Sequence, residues 1–456
     1  MTLSASQLSM NQRDKRVLWH PFTQMKEWDA LEQRVIVRGE GVYLIDMDGN
    51  RLLDGVSSMW CNVHGHSHPR LNAALQRQAA TLEHSTMLGL THPLAIELAE
   101  ALVAMTPQNL TRVFYSDNGS TAVEVGVKIA YQYFLNLHGE KNTRKRFIKM
   151  TSAYHGDTLG AVSVGGVDLF HAAYGPLLFP TATINSPYCY RCPVGCADNT
   201  TCNLACLEPF EQLLTREGDQ FAGCVIEPMM QGAGGMIPYP AGMLRRIADA
   251  CRKAGVLLIC DEVATGFYRT GPAFAVDHEG VEPDILCLSK GITAGYMPLA
   301  ATLVTDEIYQ AFYDDYMTFK TFYHGHTYTG HPLACAVALE NLTMMDVPFQ
   351  QHVTALIAAL REHLEQLLRE NPFVGNIRQC GLMSGVEIVR DRATKEPFPL
   401  ANRTGFHICR AATERGIFLR PLGDTLVIMP PHVTSRDELA SIFAVLPQAI
   451  GAVCQR

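Results

Sequence analysis

DILCLSKGITAGYMPLAATLVT, residues 284–305, places an apolar run on each side of one lysine, Lys290, and two glycines, Gly291 and Gly295. Lysine ordinarily sits on an exposed helix face, where its stem packs and its charge stays hydrated. Here it directly follows a segment that is apolar at nearly every position. Such a run reads as a strand covered on both faces, the habit of parallel sheets, so Lys290 is expected where a buried strand leaves the sheet.

Working outward, the same texture recurs in RVFYS (112–116), CVIEP (224–228), GVLLICDEV (255–263) and LAATLVT (299–305), with helical patterns between the runs. The expected architecture is therefore α/β: a large, mainly parallel sheet with helices on both faces, spanning about residues 70–335. Residues 1–69 form an N-terminal segment with a small antiparallel piece, because GVYLIDMDGNRLLDG (41–55) turns at Asp48–Gly49. Residues 336–456 read as a smaller α+β domain. There a helix with leucines at 356, 360 and 364 precedes a strand at 381–389 and a strand pair within 417–431.

The chain has 456 residues, 47% of them hydrophobic, and a formal net charge of -8. This balance argues against nucleic acid or an anionic membrane surface and favours a small-molecule partner. The N-terminus lacks the apolar core of a signal peptide, and no stretch reaches the roughly 18 uninterrupted apolar residues of a membrane span. A cytoplasmic protein is expected. Of fourteen cysteines, Cys224, Cys260, Cys287 and Cys335 sit singly in apolar runs, as buried reduced thiols do.

In an open parallel sheet, ligands bind outside the carboxyl ends of the strands. RVFYS leads into DNGSTAVEVGVK, where Gly119 permits close backbone approach and Ser120 and Thr121 add hydroxyls at a helix N-terminus, an anion cradle. LLICDEV ends on Asp261 and Glu262, of which Glu262 better fits an exposed loop acid. DILCLSK ends on Lys290, whose amine a low-dielectric setting would keep neutral and nucleophilic. A phosphate cradle, an acid for a pyridine nitrogen and a lysine able to form an imine together match the requirements of pyridoxal 5'-phosphate. A nucleotide oxidoreductase fits less well, since DNGSTA is not GxGxxG.

The motifs SDNGSTAVEVGVK, AYHGDTLGAVSVG, IEPMMQGAGGM, DEVATGFYRTG, DILCLSKGITAGY and HGHTYTGHPLACAVA, in this order, resemble the class III (ω-type) aminotransferases of fold-type I over nearly the whole chain. LWHPFTQM, SSMWCNVHGHSHP and IRQCGLMSGVEIV are most similar to the members that aminate 8-amino-7-oxononanoate in biotin biosynthesis. The resemblance implies S-adenosylmethionine or L-lysine as amino donor, with a broad ω-amine or diamine:pyruvate transaminase as the alternative. It also implies that Lys290 holds the cofactor and shuttles a proton, that Asp261 pairs with the ring nitrogen, and that Tyr154 stacks on the ring beside Gly156. Gly119 and Ser120 would hold the phosphate, and Thr327 would reach the phosphate of the neighbouring subunit in a homodimer. Glu227 and Gln231 would support the cofactor. Trp60, Phe22, Tyr154 and Gly325 would line the substrate site, with Arg269 and Arg420 supplying cations and Arg420 acting as the carboxylate clamp. No metal is expected at His155, His324 and His326 or in HGHSH (64–68).

Three positions depart from the family pattern. Phe22 stands in HPFT where HPYT is usual, which leaves the donor open, and Tyr268 replaces a usual glycine beside Arg269. YCYRCPVGCADNTTCNLAC packs Cys189, Cys192, Cys196, Cys202 and Cys206 closely, which fits a zinc or iron-sulfur knuckle, reduced structural thiols or a labile disulfide.

Overall fold

The computed structural model describes residues 8–196 and 202–455. Its centre is a seven-stranded sheet of β1 (Leu110–Ser116), β2 (Arg146–Met150), β3 (Thr181–Ile184), β4 (Phe221–Ile226), β5 (Leu257–Asp261), β6 (Ile285–Leu288) and β7 (Ala300–Thr305). They lie in the order β1-β7-β6-β5-β4-β2-β3. Every residue of β4, β5 and β6 is buried, which is why these strands show continuous apolar runs. β2 and β3 carry partly exposed residues such as Arg146, Lys149 and Thr183, so no such run marks them.

One strand runs against expectation. β7 pairs antiparallel with both neighbours, Leu288 facing Ala301 and Ser116 facing Ala300. A parallel return needs a crossover of about a dozen residues or more, usually a helix. The connection from Ser289 to Leu299 instead folds as a tight turn, with Lys290, Ala294 and Gly295 all at positive φ. The sheet is therefore mixed, and its other strands stay mutually parallel in direction.

Helix Gly119–His138 packs on one face of the sheet and begins with a capping box, in which the Asn118 side chain accepts from the Thr121 amide. Four-stranded antiparallel pairing of 374–380, 383–388, 425–428 and 420–422 builds the C-terminal sheet. The strand Val374–Cys380 has only a partial apolar pattern. Ile417–Phe418 leaves that sheet and pairs parallel with Leu53–Asp54, so the N-terminal hairpin is completed by a strand from the far end of the chain. Helix Arg436–Cys454 is long and apolar enough by composition to cross a bilayer. Here it buries Leu439, Ile442, Leu446 and Ile450 while packing on helices Val347–Glu370 and Thr404–Thr413.

Candidate active site

The carboxyl ends of β1, β2, β4, β5 and β6 deliver Gly119, Tyr154, Glu227, Asp261 and Lys290 to one edge of the sheet. Two glycines let the segments close up. A Cβ on Gly119 would stand 2.5 Å from Val263, just past Asp261, and one on Gly156 would stand 2.3 Å from the Ser120 hydroxyl. Gly156 also has a φ of +116°, which L side chains rarely adopt. With the Thr121 amide taken by Asn118, the amides of Gly119 and Ser120 donate to no protein acceptor among the described residues. Ser120 Oγ accepts from the Thr158 amide at 3.0 Å, which joins the cradle to the Tyr154 loop.

Asp261 lies almost wholly buried at the tip of β5. Its Oδ1 accepts from the Val263 amide at 3.0 Å and its Oδ2 faces His155 Nδ1 at 2.7 Å. The second ring nitrogen of His155, Nε2, is buried with no hydrogen-bond partner among the described residues. His155 is thus the site's main unforeseen member. Its only sequence signal is adjacency to Tyr154 in AYHG, since a loop histidine by itself says nothing of its partner. Glu227 accepts from the Tyr154 amide at 2.9 Å and the Gly232 amide at 2.8 Å. Burial, opposed by His155 and augmented by Asp261, pushes its pKa up to about 7. Tyr154 donates its hydroxyl to Asp157 at 2.8 Å.

Burial lowers the Lys290 pKa, with Asp261 and Cys61 opposing. The amine has no carboxylate within ion-pair distance among the described residues and lies 4.8 Å from the centre of the Trp60 ring. Trp60 in turn packs against Gly232, where a Cβ would come within 3.1 Å of the indole. Phe22 is largely exposed but stacks edge-on against Phe170, which in turn meets the Tyr154 ring edge-on.

One expectation, that for Glu262, is corrected, and the surroundings of Arg269, Gln231 and Tyr268 are defined. Arg269 is 2% exposed, and its guanidinium donates to the Pro430 carbonyl, the Asn62 carbonyl and Ser57 Oγ. It ties the Trp60 turn to the C-terminal domain through three of its five N–H donors; burial brings its pKa down to about 9. Glu262 is not an exposed acid. It is fully buried and accepts from Thr265 Oγ1 and the amides of Ala275 and Val276. Gln231 is occupied by the Thr151 carbonyl and Ser186, so it braces the loop below the cofactor edge. Tyr268, where glycine is usual, has a φ of +64° and accepts from Gln350 through its hydroxyl.

Arg420 is exposed and has no acidic partner among the described residues. It pairs with Val427 in the C-terminal sheet, two residues after Phe418, whose carbonyl accepts from the Gly55 amide. Gly325 and Thr327 lie on an exposed loop. Cys189, Cys192, Cys196, Cys202 and Cys206 line a cavity of about 10 Å³, room for one water-sized sphere. No disulfide joins Cys189, Cys192, Cys202 or Cys206. Among the described residues no group of three or more histidine, cysteine or acidic side chains is arranged to hold a metal; residues 197–201 of this stretch lie outside them.

The edge as a whole suits a cofactor with an anionic group, a protonated ring nitrogen and an amine-reactive carbon. Free helix amides and a space kept clear of Cβ atoms await the first, Asp261 the second and Lys290 the third.

The sequence model for class-III aminotransferases matches residues 25–450. The adenosylmethionine-8-amino-7-oxononanoate aminotransferase of Geobacter sulfurreducens is 52% identical, covering 96% of this chain and 97% of its own. The enzyme of that name from Methanocaldococcus jannaschii has a crystal structure at 41% identity and a TM-score of 0.92, covering 97% of this chain and 99% of its own. An amine transaminase from an uncultivated Pseudomonas species, in a PLP-bound form, is 36% identical with a TM-score of 0.91, over 96% of this chain and 99% of its own.

Proposed function

The chain belongs to the class-III aminotransferases, and from that membership we propose that it aminates 8-amino-7-oxononanoate to 7,8-diaminononanoate for biotin biosynthesis, with S-adenosylmethionine as amino donor. The observation that carries this reading is the near full-length identity to relatives bearing that activity in their names, a closer likeness than to the amine transaminases. Phe22 favours L-lysine as a second donor reading, because a missing phenol changes what the donor pocket can hydrogen-bond.

Pyridoxal phosphate, when bound, supplies an aldehyde that captures amines and a ring that takes up negative charge. We assign the amides of Gly119 and Ser120 and the helix dipole to its phosphate. Asp261, steadied by His155, holds a proton on the ring nitrogen. Tyr154 and Gly156 bound the ring, and Glu227 fixes the Tyr154 loop. Lys290 carries protons on Nζ, for which its lowered pKa suits it. Trp60 and Phe22 wall the substrate side, and Arg420 is the carboxylate clamp.

The same reading makes the protein a cytoplasmic homodimer in which Gly325 and Thr327 complete the neighbour's site. It accounts for the exposed Tyr313, Tyr316, Met317, Phe319, Tyr323 and Tyr328, an apolar set that a second copy would cover. Incubating the protein with 8-amino-7-oxononanoate and, separately, S-adenosylmethionine, L-lysine or a diamine tests the assignment by mass spectrometry. Product with S-adenosylmethionine is expected. Product with L-lysine alone would change the donor, and turnover only of ω-amines with pyruvate would overturn the substrate.

A further inference from the structure

Trp60 reaches Lys290 from a backbone that ought not to hold by itself. Ser57, Ser58 and Trp60 have φ of 51°, 59° and 64°, three left-handed non-glycine residues within four positions. Each is costly and persists only where its surroundings over-determine it.

The surroundings centre on Asp54, the last residue of strand Arg51–Asp54 and fully buried. Its Oδ1 accepts from the Ser58 amide at 2.7 Å and its Oδ2 from the Ser58 hydroxyl at 2.8 Å. Its Oδ2 also meets His66 Nε2 at 3.1 Å. The proton on His66 can be placed by following the chain of bonds. The Gly65 amide donates to Asn62 Oδ1 at 2.7 Å, which turns the Asn62 NH2 toward His66 Nδ1 at 3.2 Å. Nδ1 must accept, so Nε2 carries the hydrogen and donates to Asp54. One carboxylate thus receives three donors, two of them from the residue at the apex of the strained turn.

We propose that Asp54 is a positioning residue of the transamination site: with His66 and Asn62 it clamps the Ser57–Trp60 turn and so sets the indole against the Lys290 amine. The inference rests on the proposed reaction, in which Lys290 and Trp60 line the reacting centre. Asp54 touches neither; its influence passes through Ser58 and the backbone. The clamp also gives HGHSH a use that needs no metal, since His66 serves Asp54 and His68 accepts from the Arg70 amide as the cap of helix Pro69–Ala79.

The test is a double-mutant cycle on the holoenzyme, combined with indole emission of the cofactor-free protein. Asp54→Asn keeps an acceptor for Ser58 but sets an amide N–H against the Nε2 hydrogen of His66. It is expected to lower kcat/KM about tenfold in the wild-type background and less than about twofold in Trp60→Leu. Trp60 is the buried one of three tryptophans, 9% exposed against 88% for Trp19, so its emission should shift to the red in Asp54→Asn. His66→Gln, whose amide can both accept and donate, should cost less than His66→Ala. If Asp54→Asn does not fold, Ser58→Ala removes one of the three bonds and is read the same way. Equal losses in the two backgrounds, or unmoved emission, overturn the proposal. A wild-type protein without transaminase activity would instead sink the proposed reaction, and the emission measurement would still decide whether Asp54 holds the indole.

Discussion

Around Glu387, in strand Met383–Ile388, every buried charge meets its counterpart. Arg378 and Tyr188 both bond its carboxylate, Arg191 adds a bond of 2.8 Å, and Arg378 also donates to the Gly235 carbonyl, Thr425, Tyr188 and Asn376. Burial alone would raise the Glu387 pKa, yet Arg378, Tyr188 and Arg191 outweigh it and the pKa is lowered. Around Glu227, at the carboxyl edge of the large sheet, the opposite holds. Its carboxyl is raised to about 7 and, among the described residues, Lys290 has no ion-pair partner and His155 Nε2 no hydrogen-bond partner. The first cluster is saturated and serves stability, joining the 188–191 loop to the C-terminal sheet. The second keeps bonding capacity in reserve, the condition of a site that must accept a cofactor and substrate.

The contrast breaks most sharply at Lys290. Lys290→Ala should lower turnover by about 10⁴-fold or more while the protein still folds and retains pyridoxal phosphate reversibly, measured by steady-state rates and equilibrium dialysis. Normal turnover would remove the assignment of the reserve cluster. At the saturated cluster, Arg378→Leu should cost stability and not chemistry. With Arg191 and Tyr188 still bonded to Glu387, the loss is expected to destabilise the fold by about 1–3 kcal/mol in denaturant titration, with kcat of the folded fraction little changed. Asp261→Asn should fold and load cofactor yet lose about 10²–10³-fold in kcat, because a neutral ring nitrogen is a poorer electron sink.

The smallest effect sharpens the comparison through pH. Glu227 has a folded pKa above its ordinary value of 4.5, so the folded state binds the extra proton and the cofactor-free protein should lose stability as pH rises from about 4.5 to about 7. Glu227→Gln should flatten that slope. Glu387 has a lowered pKa, so its contribution is present above the ordinary glutamate value and is lost as pH falls through the folded one. Glu387→Gln should remove stability near neutral pH and leave the acid end unaffected. In thermal melts across pH 3–8, the difference between wild type and each variant should slope in opposite directions for the two substitutions.

Much of the site was legible because strand ends are. Continuous apolar runs mark fully buried strands, and the residues just beyond them, Asp261 and Lys290, must face the edge where ligands gather. Gly119 was legible for the same reason, as the residue opening a helix right after a strand. The partners of Arg269 were hidden because an arginine beside a motif shows its charge and not what it bonds; here they include carbonyls brought from residues 62 and 430. Glu262 was misread for a similar reason, since the amides that satisfy it belong to Ala275 and Val276. The direction of β7 was hidden because burial sets the apolar pattern, and a buried strand reads alike in either direction.

Local sequence by itself determined which segments would be buried strands, where a glycine was obligatory and which side chains stood at the sheet's carboxyl edge, because these follow from periodicity, backbone sterics and the cost of burying an unpaired charge. Only the tertiary structure decided that Ile417–Phe418 would complete the N-terminal hairpin, that His155 would meet Asp261, and that Asp54 would receive Ser58 and His66. Those pairings join segments through folded space, and a hydrogen bond is specified by distance and angle, which no single stretch of chain encodes.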